Sequence, residues 1–392
     1  MTKTLMFIIF FSTVTIIVLS THYYLWLRLI RDTGLSGLYK NIGTYSLIAF
    51  TLSFPIALLA DRILPLKYSF PLLWLSYFWI GVMMLLFFLL FSIDMIKIVV
   101  YIFQKLTTAG EEIANPERRE FVSGLIASAA STIVLISSGI GVKNYYSNAV
   151  VKKFNVSLKG LPEALKGFKI VQISDLHLGQ MMTKKILEQI VDQVNGLKPD
   201  LIAITGDLAD GSTAKLLNEA NPLKNLKADK GIYFVTGNHE YYSGVENWTL
   251  AIDKMGIKVL NNENIKIRKK DDYFYLAGVT DHEGKNFGRE HASDFKKALS
   301  GLENGKKKIL LAHQPIAVKK ASEYGTDLVL AGHTHGGQIW PFNYFVYLQQ
   351  RYLKGFYDYN GTKLYVNQGT GCWGPPVRLG SKNEITQIIL DA

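Results

Sequence analysis

The 392-residue sequence predicts an α/β fold preceded by a helical membrane domain, on three observations. Four long apolar runs fill roughly the first 145 residues. From Phe168 onward, short β-rich runs alternate with helical ones. Almost every one of those later strands ends in a cluster of Asp, Asn or His. Histidine follows the same division: of eight, only His22 lies in the apolar part. The single cysteine, Cys372, excludes an intrachain disulfide framework and a cysteine-rich zinc site. A formal charge of +11 suits anionic partners, yet basic flanks are ordinary in membrane proteins, so charge alone selects no partner.

Membrane-spanning helices are expected near residues 4–22, 43–60, 70–92 and 123–142, because about twenty apolar residues cross a hydrocarbon core. The first run continues into THYYLWLRLI, whose aromatics fit an interfacial belt. The second stops at Asp61 and Arg62, and the third carries on past Asp94 to about Phe103. The fourth is rich in Ala, Ser and Gly, which suits close helix packing. A cleaved signal peptide fits the first run poorly, since no small-residue cleavage site follows and three more runs do. The expected organisation is a membrane domain over 1–145, a linker over 146–167 and a soluble domain over 168–392.

Lys and Arg fall evenly on the two sides of the spans, so they set no orientation. The segment NPERREFVSGLIASAAS, with Arg118 and Arg119, resembles a twin-arginine export signal placed before the last span. That resemblance implies a bacterial inner-membrane protein with the soluble domain exported. The alternative is a basic flank that stops a helix at the membrane surface.

In the soluble part, FKIVQISDLHLG reads as an apolar strand with a polar end, and KKILEQIVDQVNGLKPD as a helix stopped by Gly196 and Pro199. DLIAITGDLAD, KGIYFVTGNHEYY, YFYLAGVTD, KKILLAHQP, TDLVLAGHTH, KLYVNQGTG and EITQIIL supply further strands. Sites in α/β sheets assemble beyond the carboxyl ends of strands, so this repeated placement has a structural reason. The strand ends carry Asp175 and His177, Asp207, Asn238 and His239, His313, and His333 and His335. One such residue is usually a turn or a cap, but five clusters in succession are a ligand set. Carboxylate, amide and imidazole donors without thiolates suit Mn, Fe, Zn or Ni, whereas an all-oxygen set would suit Mg or Ca. The donors are too many for one ion, and a pair about 3.5 to 4 Å apart sharing a carboxylate would use them all.

The order D-x-H, G-D, G-N-H-E, H, G-H-x-H resembles the calcineurin-like metallophosphoesterase superfamily over residues 168–392. GHTHGGQ and NQGTGCWGPPVRLGSKNEIT are similar to its membrane-associated YkuE/YaeI-like branch. The resemblance implies a four-layer α/β/β/α sandwich with metals at the strand ends, and two divalent ions as cofactors. It assigns Asp175, His177 and His335 to one metal, Asn238, His313 and His333 to the other, and Asp207 between them. It also implies a metal-activated water as nucleophile and His239, the histidine that is not a ligand, as the catalytic group toward the leaving oxygen.

Around this set, Asp210 and Glu240 are read as orienting ligands or as merely structural. Gly206, Gly237 and Gly332 each precede a ligand, where the backbone must turn beside crowded side chains. Arg378 is a candidate phosphate contact, or a solvated arginine. The aromatic run IWPFNYFVYLQQRYLKGFYDY, with Arg351 and Lys354, is either a membrane-facing ledge or a packed insertion.

The expected function is hydrolysis of a phosphate ester, mono- or diester, with a phospholipid or cell-envelope compound as substrate. Two alternatives remain open: a pyrophosphohydrolase of a nucleotide-linked lipid such as UDP-diacylglucosamine, and a non-catalytic phosphate-binding membrane receptor. Nucleic acid is disfavoured as a partner, because the motif region has no basic-aromatic platform for single strands.

Overall fold

The computed structural model describes residues 3–107, 115–179 and 181–392 and divides into two compact units, Met1–Gly141 and Val142–Ala392. The first unit is built from α1 (Lys3–Trp26), which runs on as a π-helical turn at Leu27–Arg31, then α2 (Gly37–Ile63), α3 (Leu66–Thr107) and α4 (Pro116–Tyr146). Each helix is longer than its expected span, and all four are long and apolar enough to cross a membrane. Their burial runs opposite to that of a water-soluble bundle. Ile16, Ile17, Ile56, Leu59, Val99 and Ile136 point outward, while Ser69, Ser76, Ser138 and Asp94 are enclosed. That pattern suits an apolar solvent, where polar groups must find partners inside. Asp94 finds them in Arg28, at 2.8 Å, and in the Tyr24 hydroxyl.

The second unit is a sandwich of two six-stranded sheets. One sheet holds β1 (Val150–Ser157), β2 (Lys169–Ile173), β3 (Leu201–Ile204), β4 (Ile232–Phe234) and β5 (Lys258–Val259). The other holds β6 (Glu263–Lys269), β7 (Asp272–Gly278), β8 (Lys308–Leu311), β9 (Leu328–Ala331), β10 (Gly355–Tyr359) and β11 (Thr362–Val366). The last strand, β12 (Glu384–Asp391), returns to the first sheet, giving the order β1-β12-β2-β3-β4-β5 against β10-β11-β9-β8-β7-β6. The central strands β2, β3 and β4 are parallel, as are β7, β8 and β9. Parallel strands covered on both faces must be apolar throughout, which is why Leu201–Ile204 and Leu328–Ala331 contain no polar residue.

Three apolar layers hold this unit together. Phe168, Ile170, Leu201, Phe274, Ile309 and Leu328 meet between the sheets. Outside the first sheet lie α5 (Lys184–Gly196), α6 (Thr213–Ala220), the short α7 (Asn238–Ser243) and α8 (Val245–Lys254), with Leu187, Leu216 and Trp248 in the core there. Outside the second lie α9 (Phe295–Leu299) and α10 (Ala317–Ser322), with Leu299 and Val318 buried against Leu310 and Val329. The four-layer expectation is met. One boundary differs: residues 146–167, expected as a linker, are built into the sandwich. β1 pairs along its whole length with β12, Val150 opposite Glu384 through Ser157 opposite Asp391, and Leu158, Leu161 and Leu165 are buried between the sheets.

Candidate metal centre

Every expected ligand lies in a loop that leaves the carboxyl end of a central strand. Asp175 and His177 follow β2, Asp207 follows β3, Asn238 opens α7 after β4, His313 follows β8, and His333 and His335 follow β9. The two sheets are tied together at this end, where the Gln172 amide donates to the Ala331 carbonyl and to Thr205 Oγ1, both at 2.9 Å. The ligand loops brace one another through backbone bonds. Asp175 N–H donates to Gly206 O and His177 N–H to Asp207 O, both at 3.0 Å.

Two groups of donors result. Asp175, His177 and His335 form one, and Asp207, His313 and His333 the other, each with ligand atoms within 4.8 Å of one another. Asp207 Oδ2 lies between them, 3.6 Å from His177 Nε2 and 3.1 Å from His313 Nε2. Asn238 immediately precedes His239, whose backbone N–H donates to Asp207 Oδ1, and its own buried Oδ1 accepts no hydrogen bond. A third group, His177, Asp210 and His239, shares the Asp210 carboxylate.

The tautomers follow from the outer partners. His177 Nδ1 meets Asp210 Oδ1 at 3.0 Å and His313 Nδ1 meets the Thr205 carbonyl at 2.8 Å, and both partners only accept. Those nitrogens therefore carry the protons, and each Nε2 presents a lone pair inward. There the lone pairs meet other acceptors or imidazoles: His177 Nε2 is 3.1 Å from His335 Nε2, and His313 Nε2 is 3.1 Å from His333 Nδ1. Converging lone pairs, an orphaned amide oxygen and two buried carboxylates fit divalent cations bound by nitrogen and oxygen donors.

Electrostatics agree with that fit. Burial alone would raise the Asp207 carboxyl, but His313, His239 and His177 hold it well below its usual range. Burial would lower His313, yet Asp207 drives it well above its usual value. His333 goes the other way, down to about 3, through burial and then the neighbouring His313. Asp175 is raised chiefly by burial, with Asp207 adding to the shift against His313.

Two carboxylates organise the ligands from outside. Asp210 accepts from His177 and, at 2.6 Å, from His239 Nδ1. His239 is a quarter-turn away, its ring 4.6 Å from that of His177, its backbone N–H donating to Asp207 Oδ1 at 2.9 Å. Burial pulls its pKa down, but Asp207 and Asp210 overcome this and raise it to about 9. Glu240 is fully buried and accepts from the backbone N–H groups of Asp207, Leu208 and Gly237 at 3.0, 2.7 and 2.7 Å. It thereby clamps the β3 and β4 loops together.

A calcineurin-like phosphoesterase family model matches residues 168–337. A transmembrane protein with metallophosphoesterase domain from Danio rerio is 36% identical over 81% of this chain and 73% of its own length. The chain belongs to the calcineurin-like metallophosphoesterases. The Bos taurus counterpart is 38% identical over 72% of this chain and 66% of its own length. The uncharacterized metallophosphoesterase YkuE of Bacillus subtilis is 31% identical over 70% of this chain and 97% of its own length. As a metallophosphoesterase the protein is a hydrolase of a family whose name implies a phosphate-ester substrate, with a fold that normally binds divalent metals. The four apolar helices and the transmembrane relatives together point to a membrane protein.

Within this metallophosphoesterase some expected details are corrected. Arg378 is neither solvated nor open to a phosphate: it is completely buried, and its guanidinium donates to the carbonyls of Gln368, Gly369, Gly371 and Lys382. Its NH2 also lies 3.5 Å from His335 Nδ1, behind that ligand. Gly206 does take a left-handed backbone, φ +86°. Gly237 and Gly332 do not; they are glycine for space, since a Cβ would come within 2.1 Å of Asp207 Oδ1 and 2.0 Å of Ser174 Oγ. The left-handed turns fall instead on the candidate ligands themselves: Asp175, His177, Asp207, His333 and His335 all have φ between 49° and 72°. Such conformations cost energy in non-glycine residues and persist where the surroundings over-determine them.

Other residues at the metallophosphoesterase centre carry no signal of their own in the sequence. Trp373 and Tyr242 flank the His239 ring at 5.9 and 5.4 Å. Asp281 is buried at the wall of a cavity of about 320 Å³ that His313 and Gln314 also line. An aromatic followed by glycine, or an aspartate after an apolar strand, is too common to single out.

Proposed function

We propose that this metallophosphoesterase holds two divalent cations and, anchored by its helices, hydrolyses a phosphate ester of a lipid or cell-envelope compound. The observation that carries this reading is the inward convergence of the His177 and His313 lone pairs on Asp207, Asn238, His333 and His335. Asp175, His177 and His335 would hold one cation and Asn238, His313 and His333 the other, with Asp207 shared. When bound, the pair supplies Lewis-acid polarisation of the phosphoryl oxygens and lowers the pKa of water.

The chain's own residues do the rest. Asp207 sets Oδ2 between the two sides of the centre while Oδ1 accepts from the His239 backbone N–H, which brings negative charge to both sides without crowding the imidazoles. His239, protonated on Nδ1 toward Asp210, is partly exposed beside the cluster and is set to act on the leaving oxygen. Asp210 fixes the orientation of His239 and His177 at once, so both move together if it is lost. Arg378 positions His335 from behind. The Arg118–Arg119 segment supports export of the catalytic unit, which a C-terminal reporter active only outside the cytoplasm would reveal.

The direct test is purified protein loaded with Mn and assayed for nitrophenol release from mono- and bis-nitrophenyl phosphate, with metal content measured on the same sample. Release by the wild type and its loss, together with the metal, in Asp207→Asn is the expected result. No release from either ester, with Asp207→Asn indistinguishable from wild type, would sink the enzyme reading.

A further inference from the structure

The helix α11 (Asn343–Gln350) shows solvent the wrong face. A surface helix on a water-soluble domain presents polar residues outward, but here Tyr344 is 60% and Leu348 77% exposed, with Phe345 and Tyr347 beside them. Trp340 and Phe342, just before the helix, are exposed as well. Apolar patches of this kind mark an interaction surface. No Asp or Glu occurs from 328 to 357, whereas Arg351 and Lys354 are exposed at the end of the helix. Trp, Tyr and Phe combined with basic residues suit an anionic lipid interface.

Two further observations say what covers it. The root of this ledge is hydrogen-bonded to loop 378–383: Trp340 N–H donates to Leu379 O at 2.7 Å and Lys354 Nζ to Gly380 O at 3.0 Å. The same loop receives the last turn of α4, where Asn144 Nδ2 donates to Arg378 O and Asn383 Nδ2 donates to Tyr145 O, at 3.0 and 2.7 Å. The ledge thus shares loop 378–383 with Asn144 and Tyr145, the segment by which the chain enters the catalytic unit, and only residues 147–149 lie between α4 and β1. The ledge also borders the centre: Gln338 donates to the Trp373 carbonyl at 2.7 Å, and the exposed Trp373 ring packs on His239.

We propose that Trp340, Phe342 and the outer face of α11 seat in the headgroup region of the bilayer, so that a phosphate ester held in that leaflet passes Trp373 to reach His239. The seat needs only the fold; the route rests on the phosphoesterase function proposed above. The single cysteine allows a direct test in the full chain. Leu348→Cys in a Cys372→Ala background carries a nitroxide, and the protein is reconstituted in phosphatidylethanolamine and phosphatidylglycerol vesicles. Collision with oxygen should exceed collision with an aqueous nickel chelate at position 348, and the reverse should hold for a label at the exposed Leu217. Dominant collision with nickel at 348 overturns the seat, and so does an immobile label that meets neither, which would mean that protein, such as a second copy, covers the face.

The route is tested by replacing Tyr344, Phe345, Tyr347 and Leu348 with Ser. Hydrolysis of a phosphatidyl-nitrophenol in those vesicles should fall by about tenfold or more, with soluble bis-nitrophenyl phosphate unaffected. An equal fall on both esters, no fall on either, or a wild type active only on the soluble ester overturns the route. A wild type silent on both esters instead fails the phosphoesterase reading and leaves the nitroxide result standing.

Discussion

Each unit gathers charged and polar side chains around a buried carboxylate, Asp94 in one and Asp207 in the other, and the two clusters are built on opposite principles. In the helical unit, Arg28 pairs with Asp94 and Asp32, each at 2.8 Å, and Arg31 with Asp32 at 2.8 Å. Two guanidinium groups meet two carboxylates, so the cluster completes itself. In the catalytic unit, carboxylates and imidazole nitrogens face one another at 3.1 to 3.6 Å with no arginine or lysine among them, a donor set that a cation would complete. A buried ionic cluster therefore says little until its signs are counted: a balanced one holds helices together, and an unbalanced one of mixed donors is a binding site.

The largest effect that would break this contrast is at Asp207. Asp207→Asn removes the shared charge, and several kcal/mol of cation-derived stabilisation corresponds to about a thousandfold in rate. The variant should also lose bound metal, and chelator should lower the melting temperature of the wild type but not that of the variant. A variant that keeps its full metal content would show that Asp207 is not the centre of the cluster. Removing Asp94 should behave differently. Asp94→Ala takes from Arg28 one of its two carboxylates and from the Tyr24 hydroxyl its acceptor, and should destabilise the helical unit by about 2 kcal/mol, read as detergent unfolding, with metal content per folded molecule unchanged.

Next in size is Asp210→Asn, which loosens His177 and His239 without deleting a proposed ligand. Loss of an outer partner typically costs about 10- to 100-fold in metal affinity or activity. Separating the two is informative: a weaker metal affinity reports His177, and a lower rate at saturating metal reports His239.

Much of this architecture was legible because it is local. A strand that ends in Asp-x-His or Gly-Asp carries both its apolar run and its candidate ligands in one stretch, so β2, β3, β4, β8 and β9 and the donors that follow them could be read directly. What was not legible depends on distant partners. β1 alternates exposed Lys153 with buried Val156 and becomes a strand only by pairing with β12, more than two hundred residues away. Arg378 looks like a surface arginine in PPVRLG, but its carbonyl partners come from 368–371 and 382. Asp210 and Glu240 could equally have faced solvent, and only the meeting of the β2, β3 and β4 loops turns them inward. In the helical unit, nothing local to Asp94 tells that Arg28 lies against it.

Cys372 sharpens the comparison from a third side, because it is a buried thiol outside both clusters, beside the Arg378 guanidinium. Its thiol donates weakly to the Pro375 carbonyl at 3.4 Å. Burial pushes its pKa up from the ordinary 9.0 to about 11, although Arg378 opposes the shift. A folded-state pKa above the unfolded one means that the thiol's contribution to stability is intact below pH 9 and is lost as the pH rises from 9 toward 11. At pH 10 the loss amounts to about 1 kcal/mol, the smallest effect considered. Denaturant unfolding of wild type and Cys372→Ala across this range should give curves whose difference shrinks by that amount between pH 8 and 10. Parallel curves, or rapid alkylation of the native thiol at pH 8, would mean that Cys372 is reached by water and that the loop carrying Trp373 opens beside the metal centre.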